Sequence, residues 1–290
     1  MTEQQLRFAL FGNVYQHEKS TAIQLLLASL RRHGAQVAVD REYLDFLQRT
    51  HLTDGAGLVG FDDYCFDADF AVSMGGDGTL LRTAGRVGAR QTPIVGVNMG
   101  RLGFLADVRP QEIEACIDSL YCGDYTTDDR ALLRVELPDG PRFALNDVAI
   151  LKRDTASMIS VRASVDDDYL TTYQADGLVV STPTGSTAYS LSNGGPIIVP
   201  QTGVLLMTAV APHSLNIRPI VIPDTAKVEL TVESRSHSFL VAVDGNSLAL
   251  PEGITLHLRR ADYVARIVKR AGTRYFSTLR EKMMWGADVR

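Results

Sequence analysis

The sequence Gly75-Gly76-Asp77-Gly78 has the residue types that a phosphate-handling turn requires, and it directly follows the apolar stretch 71–74. Glycines let the backbone approach a phosphate group closely and offer amide donors without an intervening side chain. A helix that starts here directs its positive N-terminal end at the same anion. Asp77 could instead be a simple helix cap, but a cap does not require glycine on both sides. We therefore predict a phosphate-binding loop with Asp77 at its centre.

Two further polar segments could bind a ligand. Seven hydroxyl-bearing side chains lie from Ser181 to Ser190, where they could bind ribose hydroxyl groups and phosphates, and Tyr189 could lie against a planar base. The alternative is a loop in which a serine or threonine caps a short helix. Asn146 and Asp147 stand in an apolar stretch, either at an exposed bulge or beside a polar ligand that satisfies them. Composition does not decide between ligand binding and the structural alternative for either segment.

Several known catalytic and nucleotide-binding motifs are absent from the chain. It has no Gly-x-x-x-x-Gly-Lys-Ser/Thr sequence, which weighs against a Walker-type NTPase, and no Gly-x-Ser-x-Gly elbow. No histidine and cysteine cluster has metal-site spacing, so we predict no metal bound by the protein alone. The stretch 55–60 matches the bare Gly-x-Gly-x-x-Gly pattern, but 51–54 do not read as a strand and 61–63 open no helix. We interpret it as a loop.

Strand and helix signals alternate through the first 125 residues, which is typical of a parallel sheet with helices on both faces. We predict strands at 6–11, 36–39, 69–74 and 93–97. We predict helices at 20–32, in a stretch that ends at 48, at 79–87 and at 110–120. Asp77 then lies at the carboxyl end of a parallel strand, where open α/β sheets bind ligands.

After residue 125 the sequence changes to many short apolar stretches, separated by turn residues at 138–140, 166–168 and 244–246. The predicted strands are 132–137, 143–151, 158–165, 177–181, 204–210, 227–232, 239–243, 254–258 and 263–269. Strands at this spacing indicate an antiparallel sandwich, and a last helix is predicted at 276–285. The predicted fold class is an α/β domain with a parallel sheet of the Rossmann or flavodoxin-like type (1–125 with 275–290) and a mostly β sandwich domain (126–274).

Composition narrows the class of protein and its partners. The net charge of −5 over 290 residues gives no broad basic surface, so nucleic acid is not an expected partner. Three cysteines without a Cys-x-x-Cys pair suit a reducing compartment. The longest aliphatic stretch, 22–30, is far shorter than the ~20 residues of a membrane span, and the apolar stretch 8–11 is too short for a signal peptide. We therefore expect a cytoplasmic protein without a membrane partner.

Four motifs in this order together resemble those of the ATP-dependent NAD kinases of bacterial type. The segment 75–78 is similar to that family's diglycine-Asp-Gly motif, and 98–105 resembles its following loop. Asn146-Asp147 is similar to its Asn-Glu/Asp pair, and 176–196 resembles its long second-domain signature. The first motif alone is shared with diacylglycerol and sphingosine kinases and, more loosely, with phosphofructokinases.

The resemblance implies a kinase that transfers the γ-phosphoryl group of ATP to the adenosine 2′-hydroxyl group of NAD, with Mg²⁺ bound to ATP. Asp77 would be the general base, and Gly75, Gly76 and Gly78 would form the phosphate-binding turn, with Arg82 placed to reach a phosphate. The resemblance assigns the rest of the dinucleotide site to Asn146, Asp147, Gln174, Asp176, Thr187, Ala188, Tyr189, Ser190, Leu191, Ser192 and Asn246. It also implies a homodimer or homotetramer.

Two alternatives come from other classes of protein. A lipid kinase of the diacylglycerol or sphingosine type could use the same glycine turn, although 176–196 and the lack of a membrane-binding stretch weigh against it. A non-catalytic dinucleotide-binding regulator is the other alternative, and the intact Asp77 weighs against that.

Overall fold

The computed structural model describes residues 5–14, 20–62, 65–100, 103–154, 157–270 and 274–286. The chain divides into two compact units. The first unit comprises Met1–Asp129 and Ala265–Arg290, and the second comprises Arg130–Val264. The chain therefore leaves the first unit once and returns to it after completing the second.

The first unit alternates strands and helices up to residue 122. Its elements in this part are β1 (Arg7–Gly12), α1 (Ser20–Arg32), β2 (Gln36–Asp40), α2 (Arg41–Arg49), β3 (Leu58–Phe61), β4 (Phe70–Gly75), α3 (Asp77–Val87), β5 (Ile94–Asn98) and α4 (Ile113–Cys122). Single 3₁₀ turns at Gly88–Arg90 and Pro110–Glu112 follow α3 and precede α4.

The second unit is a succession of strands with one short helix. Its elements, counting the two strands that cross the unit boundaries, are β6 (Tyr125–Leu137), β7 (Gly140–Ala144), β8 (Asp147–Lys152), β9 (Ile159–Val165), β10 (Asp168–Ala175), β11 (Gly177–Ser181), α5 (Tyr189–Ser192), β12 (Val204–Val210), β13 (Ile220–Pro223), β14 (Val228–Glu233), β15 (Ser238–Val243), β16 (Asn246–Pro251) and β17 (Thr255–Arg270). A 3₁₀ turn at Thr184–Thr187 precedes α5. The helix α6 (Tyr275–Met283) then follows within the first unit.

A parallel sheet forms the centre of the first unit. Strands β1 to β5 pair in the order β5-β4-β1-β2-β3, all in parallel, and Ile267 of β17 lies parallel beside Ile94 of β5. All six residues of β4 are buried, as is typical of parallel strands covered on both faces. Gly75 at the end of β4 lies beside Asn98 at the end of β5. Two of the predicted motifs therefore meet at the same edge of the sheet.

Two antiparallel sheets form the second unit. One has the strand order β13-β12-β11-β8-β15-β16, and the other contains β10-β9-β14-β17 and the pair β6-β7. Buried side chains of both sheets, for example Val180 and Val241 of one and Val161 and Leu256 of the other, form a single hydrophobic core. Alternating burial along these strands places one face of each sheet on that core. The predicted antiparallel sandwich is confirmed.

Some predicted elements of the second unit are wrong in extent. The predicted strand 143–151 is two strands of different sheets, because the chain changes direction at Leu145 and Asn146, between β7 and β8. The predicted strands 254–258 and 263–269 are one continuous strand, β17. Strands β10, β13 and β16 were not predicted, since their polar or short sequences carry little apolar signal and depend on pairing with neighbouring strands.

The interpretation of 55–60 as a loop is wrong for its second half. Leu58–Phe61 forms β3, which pairs in parallel with β2 at the edge of the sheet. A strand thus follows these glycines, the reverse of the order that a dinucleotide fingerprint requires. None of the helices in the described ranges has the length and apolar character needed to cross a membrane.

Candidate active site

The glycine turn of the first unit joins the buried strand β4 to the helix α3. A Cβ atom on Gly75 would lie 2.1 Å from the Thr79 hydroxyl oxygen, so the close passage of the chain here requires glycine. Gly76 is the N-cap of α3 with φ −104° and ψ −167°, and Asp77 is the first helical residue. Around Gly76 and Gly78 the space next to the backbone is open. The turn therefore offers an accessible backbone at a helix N-terminus, as the sequence predicts.

The Asp77 carboxylate accepts hydrogen bonds from three consecutive backbone N–H groups. Oδ2 accepts from Phe104 at 2.6 Å, and Oδ1 accepts from Leu105 and Ala106 at 3.0 Å each. We call this arrangement the Asp77 clamp. A carboxylate has about four lone-pair positions, so three amides fix its orientation and leave one position for another donor.

Gly103 and the Asn98 side chain shape the loop that carries these amides. A Cβ atom on Gly103 would lie 2.0 Å from Asp77 Oδ1, so the clamp requires glycine at that position. The Asn98 side chain is buried, donates to the Ala106 carbonyl oxygen at 3.2 Å and accepts from the Gly100 N–H group at 2.7 Å. Arg101 and Leu102 of the same motif lie outside the described residues.

Two lysines lie against the Asp77 clamp, and sequence reasoning did not identify them. Lys269 of β17 donates to Asp107 Oδ2 at 2.6 Å and lies 3.5 Å from the Leu105 carbonyl oxygen. Lys282 of α6 places its Nζ 4.9 Å from the centre of the Phe104 ring. Burial, the largest influence, lowers the pKa of Lys282 to about 8, against the opposing effect of the Asp77 carboxylate. Arg82, which the sequence did single out, is exposed on α3.

A second clamp of the same kind lies in the second unit. Asp244, in the turn between β15 and β16, accepts from Leu145 at Oδ2 (2.7 Å) and from Asn146 and Asp147 at Oδ1 (2.8 and 3.2 Å). We call this arrangement the Asp244 clamp. It sets the conformation of the chain between β7 and β8, where the structure puts the predicted Asn146-Asp147 pair. Of the two alternatives for that pair, the exposed bulge is excluded for Asp147, which is only 7% exposed.

The Asp147 side chain is buried, the Asp244 side chain is half-buried, and their carboxyl groups are close enough to interact. Burial raises the pKa of Asp147 to about 7, and the charge of Asp244 adds to this effect. Burial also raises the pKa of Asp244, although its three backbone donors oppose the shift. This part of the molecule therefore holds carboxyl groups that take up a proton more readily than ordinary aspartates.

The hydroxyl-rich segment folds against the Asp244 clamp. The Asn146 carbonyl oxygen accepts from the Thr182 N–H group at 2.9 Å, and the Thr182 hydroxyl donates to the Leu145 carbonyl oxygen at 2.6 Å. A Cβ atom on Gly185 would lie 2.0 Å from the Asn146 carbonyl oxygen. The structure thus brings two sequence motifs of the second unit together, because the Asn146-Asp147 pair and the hydroxyl-rich segment contact each other through their backbones.

The side chains of the remaining predicted site residues differ in their exposure to solvent. In the segment Thr187 to Ser192 the Tyr189 ring and Ser192 are exposed, Thr187, Ala188 and Leu191 are half-buried, and the buried Ser190 hydroxyl bonds to Thr208 Oγ1 at 2.8 Å. Gln174 is exposed and donates to the Ser160 hydroxyl at 2.7 Å, whereas Asp176 pairs with Lys152 at 2.8 Å. Asn246 is exposed directly after the turn that carries Asp244.

Asp244 is the residue of this unit that sequence reasoning missed. Its Asp-Gly turn was recognised as turn chemistry, but the partner amides are about 100 positions earlier in the chain and leave no local signal. In the described residues, no group of three or more His, Cys, Asp or Glu side chains is arranged to hold a metal ion.

Comparison with known proteins finds the same family in both parts of the chain. The model of the ATP-NAD kinase N-terminal domain matches residues 59–125, and that of the ATP-NAD kinase C-terminal domain matches residues 145–270. The NAD kinase of Bacteroides fragilis is 52% identical over 290 residues, which cover 98% of this chain and 100% of that protein. The chain belongs to the ATP-NAD kinase family.

Solved structures of the family share the fold. The yeast NADH kinase complexed with NADH superposes with a TM-score of 0.89 at 22% identity, over 100% of this chain and 90% of that one. An NAD kinase from Archaeoglobus fulgidus in complex with ATP gives a TM-score of 0.74 at 24% identity, over 96% of this chain and 98% of that one. The predicted fold class, an α/β unit with a parallel sheet followed by an antiparallel β unit, is confirmed.

Proposed function

We propose that this member of the family transfers the γ-phosphoryl group of ATP to the adenosine 2′-hydroxyl group of NAD, which yields NADP and ADP. Family membership makes the chain an enzyme that phosphorylates NAD. The observation that carries the finer proposal is the Asp77 carboxylate, held in a fixed orientation at the glycine turn where β4 meets α3.

Asp77 acts as the general base in this proposal. The 2′-hydroxyl oxygen attacks the γ-phosphorus while the bond from that phosphorus to the ADP oxygen breaks. The hydroxyl proton passes to the lone-pair position of the Asp77 carboxylate that the three amides leave open. Because phosphoryl transfer depends mainly on positioning and on neutralising charge, a pre-oriented carboxylate accelerates it more than a mobile one does.

The substrate is ATP with its Mg²⁺, as is usual for phosphoryl transfer. The metal supplies charge neutralisation on the phosphate oxygens. Among the residues of this chain, the open backbone at Gly76 and Gly78 and the N-terminus of α3 would bind the phosphates, with the exposed Arg82 within the same helix.

The second unit is proposed to bind NAD through the residues that the sequence motifs mark. Asn146 and Asp147, oriented by the Asp244 clamp, would bind ribose and adenosine groups. The exposed Tyr189 ring would lie against a planar base, and Gln174, Asp176, Thr187, Ala188, Ser190, Leu191, Ser192 and Asn246 would complete the dinucleotide site. A homodimer or homotetramer belongs to the same proposal on the family resemblance alone, and a cytoplasmic location belongs to it on the cysteine content and the short apolar stretches of the sequence.

The test is NADP formation by the purified protein from NAD, ATP and Mg²⁺, with the position of the new phosphate determined by ³¹P and ¹H NMR. A phosphate on the adenosine 2′-oxygen supports the proposal. NAD binding in a calorimeter without NADP formation would support a regulator instead. Phosphate transfer to a lipid hydroxyl, with no binding of NAD, would support the lipid kinase alternative.

A further inference from the structure

Lys282 is a cation that the glycine-turn motif does not predict. It lies on α6, which follows the whole second unit in the chain but belongs to the first unit. Its side chain is half-buried, and its Nζ atom lies over the Phe104 ring at 4.9 Å. The N–H group of the same Phe104 donates to Asp77 at 2.6 Å. One residue thus connects the ammonium group with the proposed base.

The Nζ atom of Lys282 is buried and has no hydrogen-bond partner among the described residues. An ammonium group has three donors, and leaving them unpaired away from water is costly. Its neighbour Lys269 is in a different position, because Asp107 binds that ammonium at 2.6 Å. Among the described residues, Lys282 therefore lacks an acceptor of the kind that Asp107 provides for Lys269.

Four charged groups of the described residues lie close enough to Lys282 to influence its charge. They are Asp77 of α3, Asp107 after β5, Lys269 of β17 and Glu281 of its own helix. The ammonium group of Lys269 opposes the charge of Lys282, whereas the carboxylates favour it. A bound anion would supply both the missing acceptors and further negative charge.

We propose that Lys282 binds the phosphoryl group that is transferred beside Asp77. This inference rests on the proposed function, since it takes Asp77 to face the hydroxyl group that attacks the γ-phosphorus. The point of attack lies beside the carboxylate. The Lys282 ammonium group lies over the ring of Phe104, whose N–H group donates to that carboxylate, so it is placed for the oxygens of the γ-phosphoryl group. It neutralises charge that builds up there during transfer, as the lysine of a P-loop does from a different part of the fold.

The experiment compares Lys282→Gln and Lys282→Arg with wild type in NADP formation. Arg280→Gln is the matched control, because it removes one positive charge from the exposed face of the same helix. Lys282→Gln should lower kcat/KM for ATP on the order of 10²-fold, with KM for NAD within about threefold of wild type. Lys282→Arg should retain activity to within about tenfold, and Arg280→Gln to within about twofold.

The pH profile provides a reading that a structural role would not change. Lys282 carries its charge below its pKa of about 8 and loses it above, so kcat/KM for ATP of wild type should fall as the pH rises from 8 to 9.5. In Lys282→Arg this fall should disappear, because a guanidinium group stays charged. If kcat/KM for ATP fell with pH in Lys282→Arg as it does in wild type, the proposal would be overturned. It would also be overturned if Lys282→Gln had the same kcat/KM for ATP as Arg280→Gln.

Calorimetry separates this proposal from the proposed function. Binding of MgATP is measured at pH 7.0 for the same four proteins, with circular dichroism to confirm folding. If wild type forms no NADP, the proposed function fails, but Lys282→Gln should still bind MgATP more weakly than Arg280→Gln does. Equal binding by those two variants would overturn the role of Lys282. A greater effect on KM for NAD than on ATP would also overturn it, in favour of the NAD pyrophosphate.

Discussion

The two units use the same backbone device for opposite electrostatic purposes. In each, one aspartate accepts three hydrogen bonds from consecutive N–H groups of a distant segment. Around the Asp77 clamp the neighbours include two lysines, Lys269 and Lys282, whose positive charge attracts anions. Around the Asp244 clamp the neighbour is a second carboxyl group, Asp147, and burial raises the pKa values of both. The comparison shows that a clamp fixes geometry, while its neighbours decide the charge that the site can hold.

The largest expected effect comes from removing the charge of the first clamp. Asp77→Asn should lower kcat on the order of 10²–10⁴-fold with a much smaller change in NAD affinity, because the amide cannot accept the hydroxyl proton. NADP formation and NAD titration calorimetry measure the two quantities. Asp244→Asn is the matched variant in the other clamp and should change NAD affinity more than kcat. Near-normal turnover in Asp77→Asn would eliminate the assignment of the base.

Two glycine-to-alanine variants test whether the two clamps differ in how they respond to an added Cβ atom. An alanine at 103 meets the end of the Asp77 side chain, whereas an alanine at 185 meets the Asn146 main-chain carbonyl, each at 2.0 Å. A side chain can rotate away and a main chain cannot, so Gly103→Ala should lower kcat about 10–10²-fold in a stable protein. Gly185→Ala should lower the free energy of unfolding by about 1–3 kcal/mol.

Activity and thermal unfolding of both glycine variants check this pair of outcomes. Gly85→Ala on α3 is the control, since its Cβ meets open space and neither quantity should fall. If Gly103→Ala destabilised the protein as much as Gly185→Ala, the distinction between the clamps would be lost.

A smaller effect is expected on NAD binding from the second carboxyl group. Asp147→Ala should weaken NAD binding about tenfold while the fold remains intact, because the Asp244 clamp uses the backbone of residue 147 and not its side chain. Calorimetry with NAD and circular dichroism measure affinity and fold. Asp139→Ala, at an exposed turn, is the control. An unfolded Asp147→Ala variant would favour a structural role for this aspartate.

A pH dependence of the free energy of unfolding is also expected from Asp147. The pKa of Asp147 in the folded chain is raised to about 7. Its contribution to the free energy of unfolding is therefore fully present below about pH 4 and is lost as the pH rises through 7. The free energy of unfolding of wild type should therefore fall by about 1–4 kcal/mol relative to that of Asp147→Asn between pH 4 and pH 7.5. Denaturant unfolding at several pH values measures the gap. A gap that stays constant over this range would contradict the raised pKa.

The sequence predicted what depends on local pattern and missed what depends on distant partners. The turn at 75–78, the segment 177–192 and most strands are signalled by neighbouring residues, and there prediction and structure agree to within a few positions. Asp244, Lys269 and Lys282 act on segments far away in the chain, so no spacing rule reveals them. The break at Leu145 and Asn146 was missed for the same reason, since the N–H groups of these residues donate to Asp244, about 100 positions later in the chain.

The return of the chain to the first unit has a consequence for synthesis in the cell. Residues 265–286, which carry Lys269 and Lys282, are translated only after all of the second unit has been translated. A nascent chain that already contains the Asp77 turn therefore still lacks the two lysines beside it. Chains interrupted during translation of the second unit end before Ile267, the residue of β17 that lies beside β5. The order of translation thus makes completion of the first unit a late event, and prematurely terminated products are left with an unfinished sheet.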